Sequence, residues 1–358
     1  MNYLQRQHKL KKLLDSNHLD ALLIRKKQNI AYLTGIRGDD SILLISKKKN
    51  YLITDSRYKE EYKKGLKNCS LEIAGSGETG HIISYAIEAI AKKTRSRRIG
   101  FESNNFSHAA YAGLKKRLKR RALRPVTGMV ESLRMIKDKD EIACIRKACQ
   151  DGCEIMNYGV RSARPLLRES ELRQRIESYI AKKNLKRADF EIIIASGRNA
   201  SMPHASCSSR KIRKREMVVI DLGAMNYGYN SDLTRTVFLG KIDRTYSRIY
   251  SIVKHAQKKA IEAIRPGIKA SYIDHISRQY ISLKGLGKYF IHSLGHGIGL
   301  EAHEGPRLSK KSKDILKKNM TVTVEPGIYI PGWGGVRIED VALVTNKGCE
   351  VLTKGSRK

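Results

Sequence analysis

The chain contains 358 residues, 41% of them hydrophobic and 30% charged, a composition typical of globular domains. It is longer than the roughly 250 to 300 residues at which one hydrophobic core stops growing, so we expect two domains. No stretch approaches the ~20 apolar residues of a membrane span, and we expect no membrane partner. Six cysteines without a CxxC pair, and an N-terminus without a continuous apolar segment, favour a cytoplasmic location.

The net charge of +36 comes from 71 Lys and Arg residues against 35 Asp and Glu residues. Such an excess favours encounters with nucleic acid or anionic surfaces. The basic runs are scattered along the chain, however, at residues 47–49, 92–98, 115–121 and 210–215. Among the aromatic residues that could stack on bases, Phe and Trp number only five and one. We therefore interpret the charge as a solvated basic surface and do not expect a nucleic-acid partner.

Residues 1–125 alternate between helical and strand-like patterns. The spacing of apolar residues predicts helices in "LQRQHKLKKLLDSN", "HIISYAIEAIAKK" and "SHAAYAGLKKRLKR". Strands are predicted in "DALLI", "SILLIS", "NYLIT" and "RIGFE". This alternation predicts an α/β domain. Pro125 and Gly128 interrupt the pattern, so we place a linker at residues 126–136.

A second domain, residues 137–358, begins with a long predicted helix whose first turn is acidic from Asp138 onward, as the helix dipole favours. Further helices are predicted near residues 168–183, 245–264 and 271–284. Strand-like runs such as "REMVVIDLG", "LTRTVFLG", "TVTVEP" and "GVRIEDVALVT" fall in separate groups. Because helices and strands do not strictly alternate, this domain is predicted to be α+β with antiparallel strands.

The first chemical motif is "VVIDLGAMNYGYNSDLTRTVF", in which two strand-like runs flank a centre rich in turn residues. Asp221 closes the first run and Asp232 opens the second, so a hairpin would bring both carboxylates to one end. The two carboxylates could share a cation. They could equally cap turns, as Asp commonly does.

The second motif combines "TVTVEPGIYI" with "GGVRIEDVALV". Glu325 lies on the polar face of the first strand-like run, and Arg337 and Glu339 share a face of the second. A glutamate flanked by buried valines is unfavourable unless it is paired or bound to metal, so a site is favoured over a surface strand. Arg337 could form a structural pair with a carboxylate on a neighbouring strand.

The third motif, "IHSLGHGIGLEAHE", places His292, His296 and His303 within twelve residues. A single histidine in such a segment is more often structural than a metal ligand, but three favour a site. One imidazole with four carboxylates suits Mn(II), Co(II), Fe(II) or Zn(II) better than a metal selected by thiolates. Four carboxylates carry the charge that two divalent ions would neutralise.

These motifs, with "VEPGIYIPGWGGVRIEDVALVT" and the closing "GCEVLT", resemble the pita-bread metallopeptidase family, which contains methionine aminopeptidase, aminopeptidase P and prolidase. The resemblance extends along the whole chain. "IAYLTGI" and "YLITDSRY" are similar to the creatinase/prolidase type of N-terminal domain that characterises the proline-specific branch. The resemblance implies an α+β protein with an N-terminal α/β domain followed by a pita-bread catalytic domain.

The resemblance also implies residue roles. The implied metal ligands are Asp221, Asp232, His296, Glu325 and Glu339. The implied catalytic and substrate-pocket residues are His204 in "MPHAS", His292, His303, Glu325, as the proton-transfer carboxylate, and Arg337. The resemblance implies two divalent ions that would hold a bridging hydroxide, which attacks the scissile carbonyl. The ion implied first is Mn(II), with Co(II), Zn(II) or Fe(II) as alternatives.

The activity implied in the first place is that of a metal-dependent Xaa-Pro aminopeptidase, which removes the residue ahead of proline from peptides. The alternative within the family is an Xaa-Pro dipeptidase, or prolidase, acting on dipeptides. An alternative of another class is a non-catalytic nucleic-acid or protein-binding module on the same fold. Relatives in the family are commonly dimers, so we expect a homodimer.

Overall fold

A computed structural model describes residues 1–74 and 79–356. The chain divides into two compact units, Met1–Arg134 and Met135–Lys358. In the described residues, no helix is long and apolar enough to cross a membrane. The segment predicted as a linker, residues 126–136, contains a short helix, and its Val130 and Arg134 are buried.

The first unit alternates helices and strands, as the sequence predicts. Its helices are α1 Tyr3–Ser16, α2 Lys27–Thr34, α3 Lys59–Gly65, α4 Thr79–Lys93, α5 His108–Arg117 and α6 Met129–Arg134. Its strands are β1 Ala21–Ile24, β2 Ile42–Ser46, β3 Tyr51–Thr54, β4 Ser70–Ile73, β5 Arg98–Glu102 and β6 Ala122–Val126. They form one mixed sheet in the order β4-β3-β2-β1-β5-β6, in which β1, β5 and β6 are parallel.

The second unit begins with α7 Lys139–Ser162, whose N-terminus has a capping box formed by Asp138 and Glu141. The remaining helices are α8 Glu169–Lys182, α9 Arg244–Ala263 and α10 Ala270–Leu283. The first strands are β7 Ile193–Ser196, β8 Met217–Leu222, β9 Met225–Asn226, β10 Tyr229–Asn230 and β11 Leu233–Phe238. The later strands are β12 Gly295–Gly297, β13 Glu304–Leu308, β14 Thr321–Val324, β15 Gly327–Ile330, β16 Gly334–Arg337, β17 Asp340–Val344 and β18 Cys349–Val351.

All strand pairs of the second unit are antiparallel, which confirms the α+β prediction. The two larger sheets have the orders β11-β8-β7 and β13-β12-β14-β17-β18. Alternate residues of β8 enter two separate cores: Val218 and Ile220 pack with residues of α7 and α8, whereas Val219 packs with residues of α9 and α10. Asp221 is therefore on the same face of β8 as Val219.

Candidate metal centre and substrate pocket

The two aspartates of the first motif come together as the hairpin prediction required. β8 and β11 pair with Thr234 opposite Asp221, and Asp232 directly precedes β11. Both carboxylates therefore lie at the same end of this strand pair, although the connection between the strands contains the additional hairpin of β9 and β10. Asp232 is buried and Asp221 is half-buried.

The two glutamates of the second motif lie at the end of the central ladder of the other sheet. Glu325 directly follows β14 and Glu339 directly precedes β17, and these strands pair with Val324 opposite Asp340. The backbone N–H of Glu339 donates to the Thr234 carbonyl at 3.1 Å, and the Thr234 hydroxyl donates to Glu339 Oε2 at 2.7 Å. These bonds join the two sheets where their carboxylates meet.

His296, in β12, presents one ring nitrogen to these carboxylates. Its Nδ1 is 3.0 Å from the Gly297 carbonyl oxygen, which can only accept, so Nδ1 carries a proton whether the ring is neutral or charged. Nε2 lies 3.2 Å from Glu325 Oε1 and 3.8 Å from Asp232 Oδ2. A carbonyl that fixes the tautomer and leaves the other nitrogen available is the usual setting of a metal-binding histidine.

The glycines around His296 allow close packing of backbone. A Cβ atom on Gly295 would overlap the Thr323 carbonyl oxygen, and one on Gly297 would overlap the Gly305 carbonyl oxygen. These glycines therefore allow β12 to approach its neighbouring chain segments closely. This close approach holds His296 between β13 and β14, and Glu325 directly follows β14.

The arrangement can hold divalent cations. Three groups of side chains have ligand atoms that all lie within 4.8 Å of one another: Asp221, Asp232 and Glu339; His296, Glu325 and Glu339; and Asp232, His296 and His303. The Oδ1 atom of Asp221 is buried and has no hydrogen-bond partner among the described residues. A buried carboxylate oxygen without a donor is unfavourable unless it binds a cation, so the donor set fits a metal centre.

The electrostatics of the cluster agree with this assignment. Burial, followed by the negative charges of Glu339, Asp221 and Glu325, raises the pKa of Asp232 well above its usual range. Burial and the charges of Glu325 and Asp221 likewise raise the pKa of Glu339. Burial also opposes ionisation of Glu325, but the hydrogen bond and positive charge of His296 hold its pKa at about 2. Cations in the cluster would remove the repulsion among these carboxylates.

Arg337 forms a structural pair with a carboxylate of the cluster. Its Nη2 lies 2.5 Å from Asp221 Oδ2, and its Nη1 donates to the Tyr329 hydroxyl at 2.8 Å and to the Pro203 carbonyl at 3.2 Å. Its Nε donates to the Thr234 hydroxyl at 3.1 Å. With its guanidinium largely occupied by protein acceptors, Arg337 orients Asp221 rather than offering an open cation to a ligand.

His292 lines the pocket, but both of its ring nitrogens contact protein groups. Nδ1 lies 2.8 Å from the Ser293 carbonyl oxygen and therefore carries a proton, while Nε2 lies 3.0 Å from the Tyr329 hydroxyl. Burial lowers the pKa of His292, which favours the neutral ring. Nε2 then accepts from Tyr329, and the same hydroxyl accepts from Arg337. His292 is thus connected to Asp221 through Tyr329 and Arg337.

A cavity of about 380 Å³ is lined by all five residues of the implied ligand set. His204 and His303 also line it, and both are exposed. The ring centroids of His303 and His296 are 4.1 Å apart. Burial and then the charge of His296 lower the pKa of His303. The structure therefore brings every residue singled out in the sequence to one cavity.

Two residues that the sequence did not reveal also belong to this region. Arg307 lines the cavity and is exposed, and its Nη2 is 3.5 Å from the Ser293 hydroxyl. Glu169 is fully buried beneath the segment that carries His204. Neither had a usable signal: Arg307 is one of 71 Lys and Arg residues, and Glu169 resembles any acidic residue in the first turn of a helix.

An open cavity with a buried cluster of four carboxylates and an imidazole is characteristic of a metal-dependent hydrolase. Sequence comparison makes this more specific: the chain belongs to metallopeptidase family M24, which residues 143–346 match. Residues 6–136 match the creatinase/prolidase N-terminal domain. The family resemblance and the two-domain pita-bread fold predicted from the sequence are thereby confirmed.

Similar proteins cover the whole chain. An Xaa-Pro dipeptidase from Pyrococcus furiosus is 35% identical over 99% of both chains. The structure of an Xaa-Pro dipeptidase from Bacillus anthracis is 35% identical, with a TM-score of 0.94 over 100% of this chain and 99% of that one. The structure of an X-Pro aminopeptidase from Thermotoga maritima is 30% identical, with a TM-score of 0.89 over 97% of each. The chain is therefore a metallopeptidase of the proline-specific branch.

Proposed function

We propose that the chain is an Xaa-Pro dipeptidase, which hydrolyses the bond between the two residues of a dipeptide ending in proline. Relatives that match the chain along its length at 35% identity carry this name. The aminopeptidase activity, which was the first prediction from the sequence, becomes the alternative, since the similar structure from Thermotoga maritima carries that name.

The observation that carries the proposal is the position of Arg307. It is an exposed cation in the lining of the cavity, and no carboxylate in residues 1–74 or 79–356 forms an ion pair with it. A dipeptide presents a free proline carboxylate, whereas a longer peptide presents a neutral amide at the same place. A guanidinium binds a carboxylate through charge-assisted hydrogen bonds that the amide cannot replace.

The metal centre in this proposal consists of the five clustered ligands. They are Asp221, Asp232, His296, Glu325 and Glu339. We propose two divalent ions, Mn(II) in the first place with Co(II), Zn(II) or Fe(II) as alternatives, because oxygen donors with one imidazole suit these ions. Such ions supply activation of water near neutral pH and polarisation of the scissile carbonyl.

The side chains of the cavity would perform the remaining steps. Glu325 would take a proton from the attacking water and deliver it to the leaving proline nitrogen. His303, exposed beside His296, would donate to the oxygen that becomes negative, and His204 would position the substrate. Arg337 and His292 would fix the orientation of Asp221 through the Tyr329 hydroxyl and the ion pair. We retain the predicted homodimer and cytoplasmic location, the latter supported by six free cysteines.

The test compares Ala-Pro, Ala-Pro amide and Ala-Pro-Ala with Mn(II)-loaded enzyme. We expect kcat/KM to be highest for Ala-Pro. Arg307→Ala should lower kcat/KM for Ala-Pro by about 10- to 100-fold, mainly through KM, because a charge-assisted hydrogen bond contributes about 1.5 to 3 kcal/mol. The same substitution should leave the hydrolysis of Ala-Pro amide nearly unchanged.

Lys310→Ala is the matched control, since Lys310 is an exposed cation three residues away that does not line the cavity. It should change none of the three rates by more than about twofold. Comparable rates on Ala-Pro and Ala-Pro-Ala would establish the aminopeptidase alternative. An equal loss on all three substrates in Arg307→Ala would show that Arg307 does not recognise the carboxylate.

A further inference from the structure

Three basic runs that are separate in the sequence lie side by side in the first unit. Residues 47–49 form the turn between β2 and β3, residues 92–98 join the end of α4 to the start of β5, and residues 115–121 join the end of α5 to β6. Fourteen of these seventeen residues are Lys or Arg. We call the Lys and Arg residues of these three runs the basic edge.

The register of the sheet places the runs at the same edge. Ala21, at the start of β1, is paired with Ser46 on one side and with Ile99 on the other. Arg98 is in turn paired with Ala122. The order β2-β1-β5-β6 spans three strand spacings of about 4.8 Å, so the backbone of the basic edge extends about 14 Å before its side chains are counted.

Local contacts confirm that the runs are neighbours. The Ala122 N–H donates to the Arg97 carbonyl at 2.8 Å, and the Arg121 side chain donates to the Ser96 carbonyl at 3.0 Å. The ammonium groups of Lys49 and Lys93 lie 5.6 and 5.9 Å from the centre of the Tyr51 ring. The three runs therefore form one continuous surface.

The charge of this surface is poorly balanced by the protein itself. Twelve of its fourteen cations are exposed and two are half-buried. Four form ion pairs with acidic residues: Lys47 with Asp15, Arg98 with Asp20, and Lys92 and Arg117 with Glu88. In the described part of the chain, no carboxylate forms an ion pair with the other ten. Exposed like charges within a Debye length of about 10 Å repel one another, and a polyanion would relieve this repulsion.

The chemistry of the surface favours nucleic acid over a membrane. The residues of the three runs that are not basic are Thr94, Ser96 and Leu118, all buried, so the runs expose no apolar side chain that could enter a bilayer. Tyr85, by contrast, is 55% exposed, and the Arg117 guanidinium lies 3.3 Å from its ring centre. An exposed aromatic ring beside phosphate-binding cations is the arrangement that stacks on unpaired bases.

We propose that the basic edge is a nucleic-acid-binding surface that contacts backbone phosphates without reading sequence. An extent of about 14 Å matches about eight phosphates of a duplex, which carries one charge per roughly 1.7 Å of axis. Six of the fourteen cations are arginines, whose planar forks suit phosphate oxygens. The sequence-based expectation of no nucleic-acid partner rested on the scattering of four basic runs and on the small number of Phe and Trp residues. The fold brings three of these runs together, and Tyr85 supplies an exposed aromatic ring beside them.

The test measures binding of fluorescein-labelled 20-nucleotide single strands and 20-base-pair duplexes by anisotropy between 50 and 300 mM salt. The edge variant replaces five unpaired cations by Gln: Lys48, Lys93, Arg95, Lys116 and Arg120. We expect its affinity to fall at least tenfold at 100 mM salt. The slope of log K against log salt should become less steep by up to about 4.5, or 0.9 per lost phosphate contact. Tyr85→Ala should weaken binding of the single strand alone.

The matched control replaces the five exposed lysines of residues 310–318 by Gln, which removes the same charge from the second unit. It should lose less than threefold in affinity, and both variants should keep wild-type activity on Ala-Pro. Equal losses in the two variants would show that only total charge matters and would overturn the proposal. So would equal or tighter binding to polyglutamate or to phosphatidylserine vesicles, or the absence of salt-dependent nucleic-acid binding by the wild type.

Discussion

Replacing Glu169 by Gln should loosen the pocket segment that carries His204. The buried carboxylate of Glu169 accepts from the Ser196 N–H at 2.7 Å and the Ser208 N–H at 3.1 Å. It also accepts from both serine hydroxyls and from the Asn199 amide. Ser196 and Ser208 bracket the chain segment in which His204 lies, so one carboxylate fixes both ends of the segment.

The expected magnitude follows from the number of donors. Each carboxylate oxygen of Glu169 accepts one backbone N–H and one hydroxyl, and the Asn199 amide contacts both oxygens. The hydroxyls can rotate, whereas the backbone N–H groups cannot. In Glu169→Gln one of these oxygens becomes an NH₂ group that faces a backbone N–H. Losing one charge-assisted bond and leaving a buried N–H unsatisfied costs about 3 kcal/mol.

The assay is steady-state hydrolysis of Ala-Pro with a parallel measurement of bound metal and Tm. We expect kcat/KM to fall at least tenfold because His204 would be held less firmly. The metal content should not change, because the segment between Ser196 and Ser208 contains none of the clustered metal ligands. Glu177→Gln on the same helix is the control, since its side chain is 41% exposed and forms a weak 3.8 Å pair with Arg173. Wild-type kcat/KM in Glu169→Gln, or loss of metal together with activity, would refute this reasoning.

Two further predictions concern metal retention and the support of the ligand strands. His296→Ala should reduce the amount of bound Mn(II), measured by mass spectrometry. His303→Ala should keep the bound metal but lower kcat for Ala-Pro. Loss of one equivalent of metal in His303→Ala would show that His303 is a ligand. Arg235→Met breaks a buried ion pair with Asp340 at 2.7 Å and should lower the free energy of unfolding by about 3 to 5 kcal/mol and Tm by about 10 °C. Arg146→Met, which breaks a half-exposed pair, should cost less than about 1 kcal/mol, and equal Tm shifts would contradict the distinction.

Local patterns were sufficient for most of the fold. The period of apolar residues predicted α7 through α10 because each helix buries one stripe against the sheets. The turn-rich centre of the first motif predicted the pairing of β8 with β11. Two short strands inside that centre, β9 and β10, were not predicted, because two-residue strands have too few positions to show alternation.

The candidate site could be predicted where chemistry was concentrated in short motifs. Asp232, His296 and Glu339 stand out because each lies next to apolar strand residues or among glycines. A polar side chain buried at such a position is unfavourable unless it is paired or binds a ligand. Arg307 and Glu169 could not be predicted, since their roles depend on which distant segments the fold brings beside them. The basic edge was missed for the same reason: β2 ends, and β5 and β6 begin, at the same edge of the sheet, so the fold brings together runs that the sequence separates.

The charges around the metal centre explain why the carboxylate cluster needs divalent metal ions as well as the neighbouring arginines, Arg337 and Arg235. Arg337 balances one of the four clustered carboxylates, leaving a formal charge of −3, which is consistent with the raised pKa values of Asp232 and Glu339. Arg235 helps to fix the backbone that carries Glu339, since it donates to the Glu339 carbonyl and forms an ion pair with Asp340. Two divalent ions would change this formal charge from −3 to +1, so the loaded centre would no longer repel the free proline carboxylate of a zwitterionic dipeptide. Selectivity for a free proline carboxylate would then depend on the loaded centre as well as on a neighbouring arginine.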